Sequence, residues 1–390
     1  MNNIIDIKKC VGCSACKMSC PQRAIKFEKN KEQFYVPLVN MESCIECNVC
    51  VQVCPVINKK QKKEKRIEPE AWAAISKSDL RLNSASGGVF PMLAQYVIQK
   101  NGIVYGAAWD GLKVRHIGIE KENQIPLLQS AKYLPSDIGD TYKEIEQYLK
   151  SGRTVLFSGI PCQVEGLKKY LRKEYDMLFC IDLICHGIPS ERFFENYVNW
   201  RVNREQKNSS LVSVNFRKKI PGWSHYKYSV EFSYKNGMKT YISAGEDLFM
   251  QGFTNDICLR ESCYECDFKG KNRSADITMG DFWGIWNLYP AFDDNKGTSL
   301  VVINTEKGKC IWSAVTEKLK IKRIDLDDAL LYNSSYYKSA VRPRIRDKFI
   351  EKLESEDFER YVKNAVQQLE KQSNVDTIVR CIFQKIKKLL

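Results

Sequence analysis

The amino-acid sequence predicts an α+β protein: a small cysteine-rich domain, a larger mixed α/β domain, and a helical tail. Three observations predict it. The first sixty residues hold two copies of one cysteine run. From Ala71, apolar runs of strand length alternate with segments of helical period. Beyond roughly Gly308 the helical period dominates. A chain of 390 residues with 44% hydrophobic content can bury two or three cores.

The two runs are "CVGCSACKMSCP", Cys10 to Pro21, and "CIECNVCVQVCP", Cys44 to Pro55. Both read C-x2-C-x2-C-x3-C-P. In this bacterial ferredoxin pattern three cysteines hold one 4Fe–4S cluster and the fourth ligates the other. The spacing therefore assigns Cys10, Cys13, Cys16 and Cys54 to one cluster. Cys44, Cys47, Cys50 and Cys20 go to the second. Pro21 and Pro55 end each loop by removing a backbone donor and fixing φ. Two complete copies with both prolines outweigh a pair of zinc knuckles. Each cubane carries one electron at a time, so residues 1–58 are wiring.

Residues 59–70 are dense in lysine ("KKQKKEKRIEPE") and read as a solvated linker, or as a patch for an acidic carrier. In the next unit, 71–150, "AWAAIS", "GIVYGAAW" and "VRHIGI" read as strands. There "SASGGVFPMLAQYVIQKNG" reads as a capped helix and "IGDTYKEIEQYLKSG" as a second one. In the unit 151–310, the buried strands "TVLFSG" and "MLFCIDLIC" each precede a helix. Leu211 to Ser243 alternates in polarity like an antiparallel meander. Residues 311–390 form the helical tail. Its last sixteen, "VDTIVRCIFQKIKKLL", carry an apolar helical stripe suited to packing or to a membrane surface.

The start, "MNNIIDIKKC", has no apolar core of a signal peptide, and no run approaches the roughly 20 apolar residues of a membrane span. A cytoplasmic location is expected. Thiols stay reduced there, so sixteen cysteines point to metal or redox chemistry rather than disulfides. The formal charge of +14 would be offset by bound clusters, each about −2 on four thiolates. No nucleic-acid module is recognisable, so nucleic acid is not an expected partner. A ferredoxin or another small acidic electron carrier suits the basic surface better.

"SASGGVF" places Gly87 and Gly88 at a helix start, with Ser84 and Ser86 able to cap amides, an arrangement that suits a phosphate. The segments "FSGIPCQVEGLKKYL", "DLICHGIPS" and "CLRESCYECDFKGKNRSADITMGDFWG", with "SASGGVF" and "SAKYLPSD", resemble the coenzyme F420 hydrogenase/dehydrogenase β-subunit family. The resemblance covers roughly residues 70–310. It implies an iron–sulfur oxidoreductase with FAD and a further 4Fe–4S cluster in the larger domain. Such a protein exchanges hydride with coenzyme F420 or another small molecule, and bacterial members are linked to polysaccharide synthesis. An electron-transfer subunit serving a separate catalytic partner is the alternative. The resemblance also puts Ser86, Gly87, Gly88, Lys132 and Tyr133 at the flavin. The family commonly has serine directly before that lysine, where this chain has Ala131. Lys132 could favour a reduced, anionic flavin. Asp276 and Asp281 would bind cofactor groups or cap backbone amides. His186, beside Cys185, would relay a proton or orient a ligand.

Eight cysteines remain outside the two runs. Cys180, Cys310 and Cys381 sit in apolar or amphipathic runs and read as buried filler. That leaves Cys162, Cys185, Cys258, Cys263 and Cys266, one more than a cubane needs. Cys162 and Cys185 each follow a buried strand, and adjacent parallel strands would bring them to one sheet edge. The resembled family tends to have counterparts of Cys162, Cys185, Cys263 and Cys266 and to lack Cys258. The alternative exchanges Cys258 for Cys162, which would free the Cys162 thiol for chemistry.

Overall fold

The computed structural model describes residues 4, 6–58, 66–205, 209–353 and 357–371. In the N-terminal module, strands β1 (Ile25–Lys29) and β2 (Tyr35–Val39) form an antiparallel hairpin. Each cysteine run enters a short helix, Ala15–Ser19 or Val49–Gln52. The residue before each helix is left-handed, Ser14 at φ 63° and Asn48 at φ 56°, so the sequence repeat is also a conformational one.

The large domain is built on nine strands: β3 (Arg66–Ser76), β4 (Ile103–Asp110), β5 (Lys113–Ile119), β6 (Ser136–Asp137), β7 (Val155–Gly159), β8 (Leu178–Leu183), β12 (Ile277–Asp281), β13 (Ser299–Thr305) and β14 (Leu319–Ile324). Their order is β14-β3-β13-β12-β8-β7-β4-β5-β6. At the centre β4, β7, β8 and β12 run parallel. Parallel strands are covered on both faces, which is why "VLFSG" and "LFCIDL" are near-continuous apolar runs. The helix Val89–Gln99 packs Met92, Leu93 and Val97 into one core. The helix Pro161–Leu171 packs Val164 and Leu167 into a second, shared with Ala15, Met18 and Val53 of the N-terminal module. Strands β9 (Leu211–Lys218), β10 (Ser229–Tyr234) and β11 (Lys239–Ser243) form the expected antiparallel meander.

Two expectations are corrected. The linker expected over 59–70 runs into the sheet, because β3 begins at Arg66 and pairs there with Thr305. Residues 59–65 lie outside the described residues, as does the amphipathic stretch 375–390. The tail from 311 is not wholly helical: "LKIKRI" is the edge strand β14, paired with β3. Its first half alternates, with Leu319 and Ile321 apolar and Lys320 and Lys322 charged, which is a strand signal. Beyond β14 the regular elements of the described chain are helical, with Arg346–Glu351 and 358–371 packing on the meander.

Buried Arg346 ties the N-terminal module to this tail. Its guanidinium donates to both carboxylate oxygens of Glu32 (2.9 and 2.7 Å) and to the Leu259 carbonyl. No described helix is long and apolar enough to cross a membrane.

Candidate iron–sulfur and cofactor site

Two cavities in the N-terminal module match the two cysteine sets. One is lined by Cys10, Cys13, Cys16 and Cys54. The other is lined by Cys20, Cys44, Cys47 and Cys50. The first set is buried, whereas Cys47 of the second is exposed. Burial pushes the Cys13 thiol up to about 12, with Cys10 and Cys54 adding to it. Burial also raises Cys16, and Cys13, Cys10 and Cys54 push the same way. Thiols this crowded ionise readily only when a metal supplies the positive charge.

A third quartet forms at the large sheet. β7 and β8 pair in parallel with Gly159 opposite Asp182. Cys162 follows β7 in the first turn of the helix Pro161–Leu171, and Cys185 follows β8. The bridge between Pro189 and Leu259 carries the 258–266 loop across the same edge. Burial raises Cys162 well above the usual thiol range, and Cys185, Cys266, Cys13 and Cys263 raise it further. The fold therefore brings Cys162, Cys185, Cys263 and Cys266 together, with Cys13 of the N-terminal module beside them. Cys185 is held at about 12 by burial, against the lowering effect of Lys269, whose ammonium donates to the Cys185 carbonyl.

Cys258 is apart from this group. It is fully buried among Phe249, Phe253 and Leu259, and its charged neighbours are Asp256 and Arg346. Cys180 is buried as expected, but Cys310 is exposed on the helix Glu306–Ser313. A single zinc bound to thiolates at about 2.3 Å would draw them to about 4 Å apart. Among the described residues no three cysteine sulfurs lie within 4.8 Å of one another. Cubane ligands are spread over four irons and stand farther apart.

A polar cluster lies at the same edge. Asp281 ends β12 and forms a two-point ion pair with buried Arg217 (2.7 and 3.0 Å). Arg217 also donates to the Tyr133 hydroxyl at 3.0 Å and the Ala85 carbonyl at 3.3 Å. The Tyr133 ring packs on Phe253 (4.9 Å), and Phe253 on His186 (5.0 Å). Ring contacts thus run from Arg217 to the residue beside Cys185. His186 Nε2 lies 2.7 Å from Asp256. The Lys132 ammonium donates to the Gln129 carbonyl at 2.7 Å, and burial pushes it down to about 7. Lys219 donates to the carbonyls of Arg81 and Ser86, and burial likewise brings it to about 7. Asp281 and Asp294, each paired with an arginine, oppose that lowering at Lys219.

Other expected residues serve the protein itself. Asp276 immediately precedes β12, at the opposite end from Asp281. It accepts from the Cys180 amide (2.8 Å) and the Thr305 hydroxyl (2.8 Å), the backbone-capping role. Ser84 and Ser86 donate to the Leu80 and Thr298 carbonyls instead of capping the helix at Val89. The Gly87 amide donates to Ser299 Oγ, and a Cβ there would stand 2.2 Å from the Ala74 carbonyl oxygen. Gly88 is left-handed at φ 79° and abuts Arg81. Gly87 is thus packed between β3 and β13, and Gly88 against Arg81 and Ser76. Gly87→Ala is accordingly expected to destabilise the fold by about 1–3 kcal/mol or more, read as a lowered denaturation midpoint.

Arg217, Lys219 and Trp223, whose indole donates to Ala85 (3.1 Å) and Asp281 (3.3 Å), were not singled out from the sequence. The available signal was "FRKKIPGW", a basic run at a strand end.

Cysteine quartets in a duplicated module, joined to a large mixed sheet with another quartet at its edge, define an iron–sulfur electron-transfer protein. Residues 9–58 match the 4Fe-4S dicluster domain family. Residues 152–329 match the family described as the C terminus of the coenzyme F420 hydrogenase/dehydrogenase β subunit. The chain is thus an iron–sulfur oxidoreductase similar to the F420 hydrogenase β subunit. Among solved structures it is similar to a chain of the F420-reducing [NiFe] hydrogenase complex from Methanosarcina barkeri, at 16% identity and a TM-score of 0.45. That similarity covers 69% of this chain and 90% of the other. Curated proteins include no match.

Proposed function

We propose that the chain is an iron–sulfur flavoprotein with three 4Fe–4S clusters and FAD, passing electrons between a small one-electron carrier and a small molecule that exchanges hydride. The observation that carries this reading is one juxtaposition: the quartet Cys162, Cys185, Cys263 and Cys266 and the Arg217–Asp281–Tyr133 cluster share the C-terminal edge of the parallel strands. Ligands of open α/β sheets bind at such an edge.

The residues fit a flavin dinucleotide. Arg81 is paired with Asp294 and Arg217 with Asp281, while the hydrogen bonds of Lys132 and Lys219 go to backbone carbonyls, with Asp281 and Asp294 acting on Lys219 from farther off. Protonated, the two lysines supply the two positive charges that a diphosphate requires. A bound flavin would supply the exchange between hydride and single electrons. Lys132 and His186 are the groups suited to moving a proton: Lys132 because its pKa lies near 7, His186 because Asp256 faces its Nε2. Coenzyme F420 is the substrate that the family's description suggests. The same description, a β subunit, also supports a reading in which a separate partner performs the catalysis. A stoichiometric partner on copurification, with no turnover alone, would favour it.

Anaerobic purification, cofactor release and an iron count test the proposal. FAD and about twelve irons per chain are expected. Flavin binding at pH 8 should also take up protons, because a diphosphate raises the pKa of lysines that are mostly neutral there. Calorimetry in buffers of different ionisation enthalpy reads this uptake. A colourless, flavin-free protein that binds no added FAD would overturn the reading.

A further inference from the structure

We propose that the N-terminal module holds a built-in potential step that draws an electron from the outer cluster (Cys20, Cys44, Cys47, Cys50) to the inner one (Cys10, Cys13, Cys16, Cys54). Opposite charges at equivalent positions of the repeat set it: the Arg260 guanidinium laid on Gly12, and the carboxylate of Glu46. The proposal rests on the two clusters of residues 9–58 and not on the flavin.

Aligning the repeats sets Cys10-Val11-Gly12-Cys13 against Cys44-Ile45-Glu46-Cys47. The backbones agree: Gly12 is left-handed at φ 71°, and Glu46 at φ 53°. A glutamate there bears a steric cost that glycine escapes. At Gly12 the missing side chain leaves room for Arg260. A Cβ on Gly12 would stand 3.1 Å from Arg260 Nη2. Arg260 is 6% exposed and lies over the Phe34 ring at 4.8 Å. It donates to the carbonyls of Cys10 and Tyr35, each at 3.2 Å. Its contacts are neutral, so among the described residues its charge is not cancelled by a carboxylate in hydrogen-bond contact. The outer loop has the opposite sign. Between Val36 and Asn58 the only charged side chains are Glu42 and Glu46, both exposed.

A buried cation stabilises an added electron on a nearby cluster, and nearby carboxylates oppose it. The step itself is simple. With both clusters bound, one electron from a low-potential one-electron donor would pass from the cluster held by Cys20, Cys44, Cys47 and Cys50 to the one held by Cys10, Cys13, Cys16 and Cys54, oxidising the first and reducing the second with no proton moved and no bond changed. The inner loop in turn touches the third quartet: a Cβ on Gly166, one helical turn beyond Cys162, would stand 2.8 Å from Cys13 Cβ. Ser262, beside Cys263, donates to the Cys10 carbonyl at 3.1 Å.

The test is an EPR-monitored redox titration of the full chain with dithionite. Cys13→Ser should abolish the higher of the module's two midpoints and Cys47→Ser the lower. The reverse assignment overturns the proposal. Arg260→Gln should lower the inner cluster's share of electrons at least tenfold relative to the outer one, equivalent to 59 mV for a one-electron couple. Arg260→Lys, which keeps the charge, should give a clearly smaller shift. Equal shifts in the two variants, or none, overturn the proposal. If Arg260→Gln fails to retain iron, Glu46→Gln decides: the gap between the midpoints should narrow from the outer side, and an unchanged or wider gap overturns the proposal.

Discussion

Cys162→Ser is expected to lose about four of about twelve irons per chain, whereas Cys258→Ser keeps them all. The geometry separates the two thiols clearly. Cys162 opens a helix at the end of a central parallel strand, and the other three members of its quartet are its electrostatic neighbours. Cys258 is enclosed by apolar side chains, with no thiol among its charged neighbours. A serine there replaces a small buried group and affects packing only. Iron analysis with EPR on anaerobically purified variants reads the difference. Iron loss confined to Cys258→Ser would move the third ligand set onto that residue.

Arg217→Met is expected to cost about 3–5 kcal/mol, because it leaves the Asp281 carboxylate facing a half-closed site without its cation. The Arg217 side chain is only 1% exposed and Asp281 16%. Adding Asp281→Asn removes the orphaned charge, so the double variant should regain most of the loss in an unfolding titration. Flavin content should behave differently. The double variant still lacks the Arg217 bonds to Tyr133 and Ala85 that hold the proposed site's polar cluster together, so flavin binding should stay impaired in it. Full flavin content in the refolded double variant would remove Arg217 from the site and leave it a structural ion pair.

The cysteine chemistry was legible in the sequence because ligand spacing is local. Three close cysteines and a proline fix a loop whatever surrounds it. The pairing of β7 with β8 was legible too, since two short apolar runs before helices have few other parallel arrangements. The polar cluster was less legible. Arg217 is a charged residue on a meander strand, and its importance comes from Asp281, 64 positions away in sequence. Gly87 carries a packing constraint that its sequence neighbours do not reveal. A glycine pair at a helix start suggested approach to a ligand, yet the close contact is with the Ala74 carbonyl of β3. β14 was missed because its strand-period alternation lies in a charged, helix-rich stretch.

Arg346 grips Glu32 across 314 positions of sequence, and this has a consequence for biosynthesis. At about 5–20 residues per second, roughly 15–60 s separate the synthesis of the two partners on the ribosome. Early in that interval the first cysteine loop exists without the helix that carries Gly166, for most of it without Arg260, and until its end without the Arg346 clamp. Iron loaded early would sit in a half-made pocket open to oxygen. The yield of intact protein should therefore depend on elongation speed and on when iron is delivered, and slow translation in air should be the most damaging combination.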